Sequence, residues 1–149
     1  MFGRLVFAGA AALALGVSPV LAGGPSILPA LLLAKDCFKS DAAQVQCAIQ
    51  VAKGDRNDAA TTQWTRSHGH GQSLQLGVTI QDGNDNRALT RQIGKDQLAL
   101  TVQKGDDNSS YVNQVGKDQI SANVQVGNGH WAANSSIGEK SHSFIVQSN

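Results

Sequence analysis

Residues 81–92 read QDGNDNRALTRQ, residues 92–103 read QIGKDQLALTVQ, and residues 103–114 read QKGDDNSSYVNQ. These are one pattern, overlapping on its terminal Gln and repeating every eleven residues. Glycine recurs at Gly83, Gly94, Gly105, Gly116, Gly127 and Gly138. Two positions before each glycine stand Gln81, Gln92, Gln103, Gln114 and Gln125, then Ser136, and Gln147 continues the series. Three positions after come Asn86, Gln97, Asn108, Gln119, His130 and Ser141. Five after, the residue is always small: Ala88, Ala99, Ser110, Ser121, Ala132 and Ser143. The unit is Q-x-G-x-x-(N/Q)-x-(A/S)-x-x-x-Q. A period held this strictly is read before any other feature.

An eleven-residue period also suits a right-handed helical coiled coil. Composition decides against it, because every unit carries a glycine and polar amides and lacks an apolar stripe at three-four spacing. Within a unit the pattern alternates instead. Asn86, Ala88, Thr90 and Gln92 fall on one side, and Arg87, Leu89 and Arg91 on the other, the two-residue period of a strand. The residues that follow each glycine are polar and turn-favouring: Asn84-Asp85, Lys95-Asp96, Asp106-Asp107, Lys117-Asp118, Asn128-Gly129 and Glu139-Lys140. Strand and tight turn therefore alternate. The expected fold is all-β: a cross-β solenoid of stacked two-strand coils, each coil two eleven-residue half-repeats or 22 residues, with layers about 4.8 Å apart.

Stacking at 22-residue intervals gives the amides a role. Gln81, Gln103, Gln125 and Gln147 form one column, Gln92 and Gln114 a second, and Asn86 and Asn108 a third. Gln97 and Gln119 stand where a further Asn would fit the pattern. A side-chain amide is donor and acceptor at once, so copies in register hydrogen-bond up the stack. Ala88, Ser110 and Ala132 share a column where two close strands leave room only for a small side chain. The opposite face carries Leu98, Leu100, Val102, Tyr111, Ile120, Val124, Trp131 and Phe144.

Upstream the order weakens. Gly54-Asp55-Arg56-Asn57-Asp58-Ala59 followed by Gln63 reproduces part of the unit, and Gly69, Gln72, Gln75 and Gln81 suggest an irregular coil with 67–71 as a bulging loop. At the N-terminus Arg4, the apolar run Leu5 to Val17 and Val20-Leu21-Ala22 make a secretory signal with cleavage after Ala22; a later cut after Ala34 also satisfies the rule. Neither this run nor the second apolar patch, Ile27 to Ala34, is long enough to span a bilayer, and Pro25 and Pro29 interrupt the stretch between them, so no membrane insertion is expected. The expected division is signal 1–22, leader 23–48, degenerate repeats 49–80 and regular repeats 81–149.

Charge and composition exclude several functions. Twelve Lys plus Arg against eleven Asp plus Glu leave a net charge of +1, with no basic excess for nucleic acid. The acids are nearly all turn residues, without the convergent acid, base or ligand set that an enzyme needs, and no cofactor is expected. The two cysteines, Cys37 and Cys47, lack a CxxC or nearby His that would make a metal site. Export permits a Cys37–Cys47 disulfide, with unpaired or intermolecular thiols as the alternative. His68 and His70 could bind copper or zinc or simply belong to a flexible His-Gly loop.

Gln81-x-Gly83-x-x-Asn86-x-Ala88-x-x-x-Gln92 resembles the curlin repeat of bacterial curli fibre subunits, strongly over 81–149 and loosely over 50–80. The resemblance implies a Sec-exported subunit that leaves through an outer-membrane secretion channel. Outside, it polymerises with itself and a second curlin-type subunit into functional amyloid on the bacterial cell surface, serving adhesion and biofilm matrix. The motif amides map to Gln81, Asn86, Gln92, Gln103, Asn108, Gln114 and Gln125. Gln97, Gln119, His130, Ser141 and Ser136 depart from it. The competing reading is a monomeric secreted solenoid, an adhesin or carbohydrate-binding module, which needs an end cap or an aromatic groove.

Overall fold

Short polar side chains alternating with larger ones make strands whose inner side can close tightly on a second sheet. The computed structural model describes residues 20–22, 44–65 and 73–149. Within these lie eight strands: β1 (Val20–Ala22), β2 (Gln44–Lys53), β3 (Asp58–Trp64), β4 (Ser73–Asp82), β5 (Arg87–Lys104), β6 (Ser109–Val126), β7 (Trp131–Glu139) and β8 (His142–Ser148). Every pairing is parallel. Gln81 faces Gln103, Gln103 faces Gln125, and Gln125 faces Gln147. The chain is an all-β parallel solenoid with 22-residue coils, as the repeat predicts.

β5 and β6 each bend across a corner and serve two sheets. Arg87 to Ile93 lie against β3, whereas Gln97 to Lys104 lie against β4. β6 divides in the same way between β7 and β8. One sheet therefore stacks β2, β4, the second halves of β5 and β6, and β8. The other stacks β3, the first halves of β5 and β6, and β7.

The chain turns after every repeat glycine, as expected, but the turns take two forms. The strands break over 54–57, 83–86, 105–108 and 127–130, and again at 140–141 after Gly138. At Gly94 and Gly116 the chain bends inside β5 and β6, because Gly94 still pairs with Gly116 and Lys95 with Lys117.

Upstream, Asp58 faces Arg87 and Gln44 faces Ser73. This offset of 29 residues replaces the 22 of later coils, and the excess lies between Trp64 and Ser73. The His68 and His70 loop falls in that interval, outside the described residues, as do Gly69 and Gln72. The expected signal lies outside them too, apart from β1, which pairs with Gln50 to Ala52 of β2. Of the expected leader, 44–48 are described and belong to β2, which runs across the boundary placed after residue 48.

The interior is polar. Among the described residues the buried apolar side chains are Cys47, Ala52, Ala88, Ala99, Val112 and Ala132, whereas Gln75, Gln81, Gln92, Gln97, Gln103, Gln114, Gln119 and Gln125 are the largest fully buried side chains. A buried amide is tolerated when hydrogen-bonded. Each such bond contributes about 1 kcal/mol net.

The two outward faces differ. The sheet containing β4 presents Leu74, Leu76, Val78 and Ile80, then Leu98, Leu100 and Val102, then Ile120 and Val124, and finally Phe144 and Val146. The other mixes Arg87, Arg91, Asn113 and Ser135 with Leu89, Tyr111, Trp131 and Ile137.

Candidate functional site: amide columns, corners and edges

The glutamines before each glycine sit on inner strand positions one above another. Gln81 Nε2 donates to Gln103 Oε1 at 3.0 Å, Gln103 to Gln125 at 3.0 Å, and Gln125 to Gln147 at 3.1 Å. Each also donates to a backbone carbonyl of the facing strand: Gln103 to Arg87, Gln125 to Ser109, Gln147 to Trp131. On the other sheet Gln63 donates to Gln92 at 2.8 Å and Gln92 to Gln114 at 2.9 Å. That ladder stops at Ser136, which lies over Gln114; Gln114 donates instead to Leu98 O and Ser121 Oγ. The first ladder starts at Gln81, whose Oε1 lacks a partner because the residue beneath it is Ala52.

Asn86 and Asn108 stack, but not amide to amide, which corrects the third expected column. Asn86 Nδ2 donates 2.8 Å to Gly105 O, and its Oδ1 accepts the Asn108 backbone N–H at 3.1 Å. Asn108 repeats this with Gly127 O and the His130 N–H, and Asn57 with Gly83 O and the Asn86 N–H. The Asn side chain is one methylene shorter than Gln and stays beside the corner backbone, where orphaned N–H and C=O groups need partners.

At the alternate corners Gln takes over. Gln75, Gln97 and Gln119 donate to the carbonyls of Gly94, Gly116 and Gly138 in the next coil at 2.8, 3.3 and 2.9 Å. Gln97 and Gln119 also donate to Ile93 O and Val115 O of their own half-coil, and Gln97 reaches Gln119 Oε1 at 3.2 Å. The Gln residues that depart from the motif are the regular occupants of this second corner.

All six turn glycines have positive φ, and close approach constrains them as well. A Cβ on Gly105 would fall inside van der Waals contact of Gly127 O, and one on Gly116 would strike Gly138 O. Two residues after the glycine the backbone enters the left-handed region, at Asp85, Asp96, Asp107 and Asp118 with φ of 53–57°. Asp tolerates that conformation better than most side chains. The sequence signal was the Asp recurring at that place. The residue directly after the glycine matters at the first corner: Asn84 Oδ1 accepts the Asp55 N–H, Asp106 Oδ1 the Asn84 N–H, and Asn128 Oδ1 the Asp106 N–H. These side chains therefore bridge coils as well as meeting solvent.

Of the small positions, Ala88, Ala99, Ser110, Ser121 and Ala132 are buried, and Ser143 in the last half-coil is partly open. Cys47 is buried and disulfide-bonded; Cys37, the other cysteine of the sequence, lies outside the described residues. Sequence reading did not single out Gln75 or the buried Asn123 and Asn134 as stack members, although 22-residue spacing links Gln75 to Gln97. Among the described residues no three His, Cys, Asp or Glu side chains gather where they could hold a metal ion, and no helix is long and apolar enough to cross a membrane.

Among the described residues the end of the stack formed by β7 and β8 is an open edge, whereas at the other end β1 covers part of β2. Among the described residues nothing lies over β7 or β8, and β3 has β5 as its one neighbouring strand in the sheet. Ser143 and Gln147 of β8 are partly exposed, whereas Ser121 and Gln125, one coil below, are fully buried.

No curated protein sequence and no solved structure matches the chain. Residues 81–116 match the family model described as the curlin associated repeat, a non-catalytic structural repeat. The matched segment runs from Gln81 through three half-coils, the corners at Gly83, Gly94 and Gly105 and the closing Gly116, and the chain thus carries a curlin-repeat domain folded as a parallel β-solenoid.

Proposed function

We propose that the chain is the structural subunit of a secreted extracellular fibre of amyloid type, growing by end-to-end addition of copies and serving adhesion and matrix formation at a bacterial cell surface. The observation that carries this reading is the unfinished state of β8. Its inner side chains sit half-open at positions that are sealed in every complete coil beneath, and its edge offers unpaired backbone donors and acceptors. An arriving coil would bury them by the bonding that joins coils within the chain.

Export fits the apolar N-terminal run and the Val20–Ala22 cleavage signal. Cleavage after Ala22 removes β1, which otherwise meets Gln50 to Ala52 on the β2 edge. A Cys37–Cys47 disulfide would clip the start of the exported chain to β2. A dedicated outer-membrane channel and a second curlin-type subunit complete the reading by resemblance. The test is assembly of the purified chain from Gly23, followed by thioflavin-T fluorescence and fibre diffraction. Fibres with a meridional reflection near ~4.8 Å are expected. A monodisperse β-rich monomer at high concentration would overturn the reading.

A further inference from the structure

Leaving out β1, which the proposed cleavage after Ala22 removes, the number of half-coils among the described residues is odd. Along the chain the sheets alternate: β2 in the first, β3 in the second, β4 in the first, then the successive halves of β5 and β6, β7 in the second and β8 in the first. The first sheet is one strand taller than the second, and the path begins and ends in it.

This decides how two copies can meet. If a second copy sits on the first by simple translation, its β2 lies on β8. Its β3 then stands two levels above β7, and a strand-sized gap opens in the second sheet. The inner contacts also fail: Ala52 lies over Gln147 and gives its amide no acceptor, and Gln50, whose Oε1 already lacks a partner, lies over Ile145. A half-turn about the stack axis places β2 of the next copy on β7 and its β3 on β8, with no gap. The eleven-residue half-repeat makes this possible, since both sheets present the same inner pattern.

We infer that copies of this chain stack end to end with a half-turn between neighbours, the edge formed by β7 and β8 receiving β2 and β3 of the next copy. The register follows from the columns. Gln63 of the next copy lies over Gln147, so the ladder from Gln81 to Gln147 continues directly into the one from Gln63 to Gln114. Gly54 lies over Gly138, a turn glycine with nothing within 4 Å above it, and repeats the glycine-on-glycine contact of every complete corner. Gln50 lies over Asn134, bringing together two amides that each hold a buried oxygen without a partner. The apolar outward face then alternates from one side of the fibre to the other with each subunit. The axial repeat is four and a half coils, about 22 Å, against about 24 Å for translation with its gap.

The inference rests on the end-to-end polymer reading and is tested separately from it. Two exchanges place cysteines on outward neighbours without touching the interior: Val146→Cys on β8 and Thr62→Cys on β3. Each is made in its own full exported chain that keeps Cys37 and Cys47, and the two chains are mixed, assembled and oxidised. In the half-turn register these positions are direct parallel neighbours about 4.8 Å apart at Cα, within disulfide range. A covalent dimer on a non-reducing gel is expected from this mixture and not from Val146→Cys mixed with Val51→Cys. The reverse result, or fibres that form with neither dimer, overturns the half-turn. A chain that forms no fibres in unsubstituted form overturns the polymer reading, and this inference with it.

Discussion

The two kinds of corner solve one problem with different parts. Each turns the chain between sheets on a glycine of positive φ followed two residues later by a left-handed residue. At Gly83, Gly105 and Gly127 the strand is interrupted, and the freed backbone groups are met by side chains. Asn84, Asp106 and Asn128 accept N–H groups, while Asn86 and Asn108 serve an N–H and a C=O together. At Gly94 and Gly116 the ladder runs on through the bend. No acceptor is required after the glycine, and Lys95 and Lys117 occupy that position. The long Gln97 and Gln119 reach the glycine carbonyl of the next coil from within the sheet. A corner can thus be held by capping side chains or by backbone continuity, and at Gly83, Gly94, Gly105 and Gly116 the choice is recorded in whether Asn or Gln stands three residues after the glycine.

The largest expected effect separates φ from coil-on-coil approach. Gly105→Val and Gly116→Val should each cost about 4 kcal/mol or more, since strain at positive φ adds to a collision with the covering carbonyl. Gly138→Val should cost the single chain about 1–2 kcal/mol, from φ alone. Urea denaturation of the three variants measures the difference. Equal losses would mean that the covering coil yields and that φ is the whole constraint.

An exchange of amides between corners comes next. Asn108→Gln crowds a corner fitted to the shorter side chain, and Gln119→Asn withdraws the amide from Gly138 O. Each should lose about 1–3 kcal/mol, the cost of leaving a buried polar group unpaired. A neutral exchange in both directions would erase the distinction between the corners.

The smallest effect compares residues directly after the glycine. Asp106→Ala should cost about 1 kcal/mol by stranding the Asn84 N–H. Lys117→Ala should fall within about 0.5 kcal/mol, as for other exposed surface exchanges. Matched midpoints would show that water replaces the Asp106 carboxylate without loss.

Most of the fold was legible because its two periods are geometrically rigid. A period of two separates inner Asn86, Ala88, Thr90 and Gln92 from outer Arg87, Leu89 and Arg91, and a period of eleven sets the corners. The Gln columns were legible because an amide in register has an obvious partner above it. The Asn column was misread as the same device, since residue type alone does not reveal that a side chain one methylene shorter meets backbone first. The difference between corners was hidden because strand continuity depends on backbone pairing that both Gly-Lys-Asp and Gly-Asp-Asp permit locally. The seven-residue excess before Ser73 blurred the first coil, moving Gln63 out of phase in sequence while leaving it in phase in space.

The direction of the hydrogen bonds has a mechanical consequence. They lie along the stack axis, so tension applied along that axis loads all the bonds of a layer together, whereas peeling from a chain end loads them a few at a time. Inside one chain each layer is also threaded to the next by covalent backbone. A contact between two chains would have no such thread. A fibre built from this solenoid and pulled lengthwise would part between copies before any copy uncoiled, breaking into shorter rods whose ends are the same open edges from which it grew.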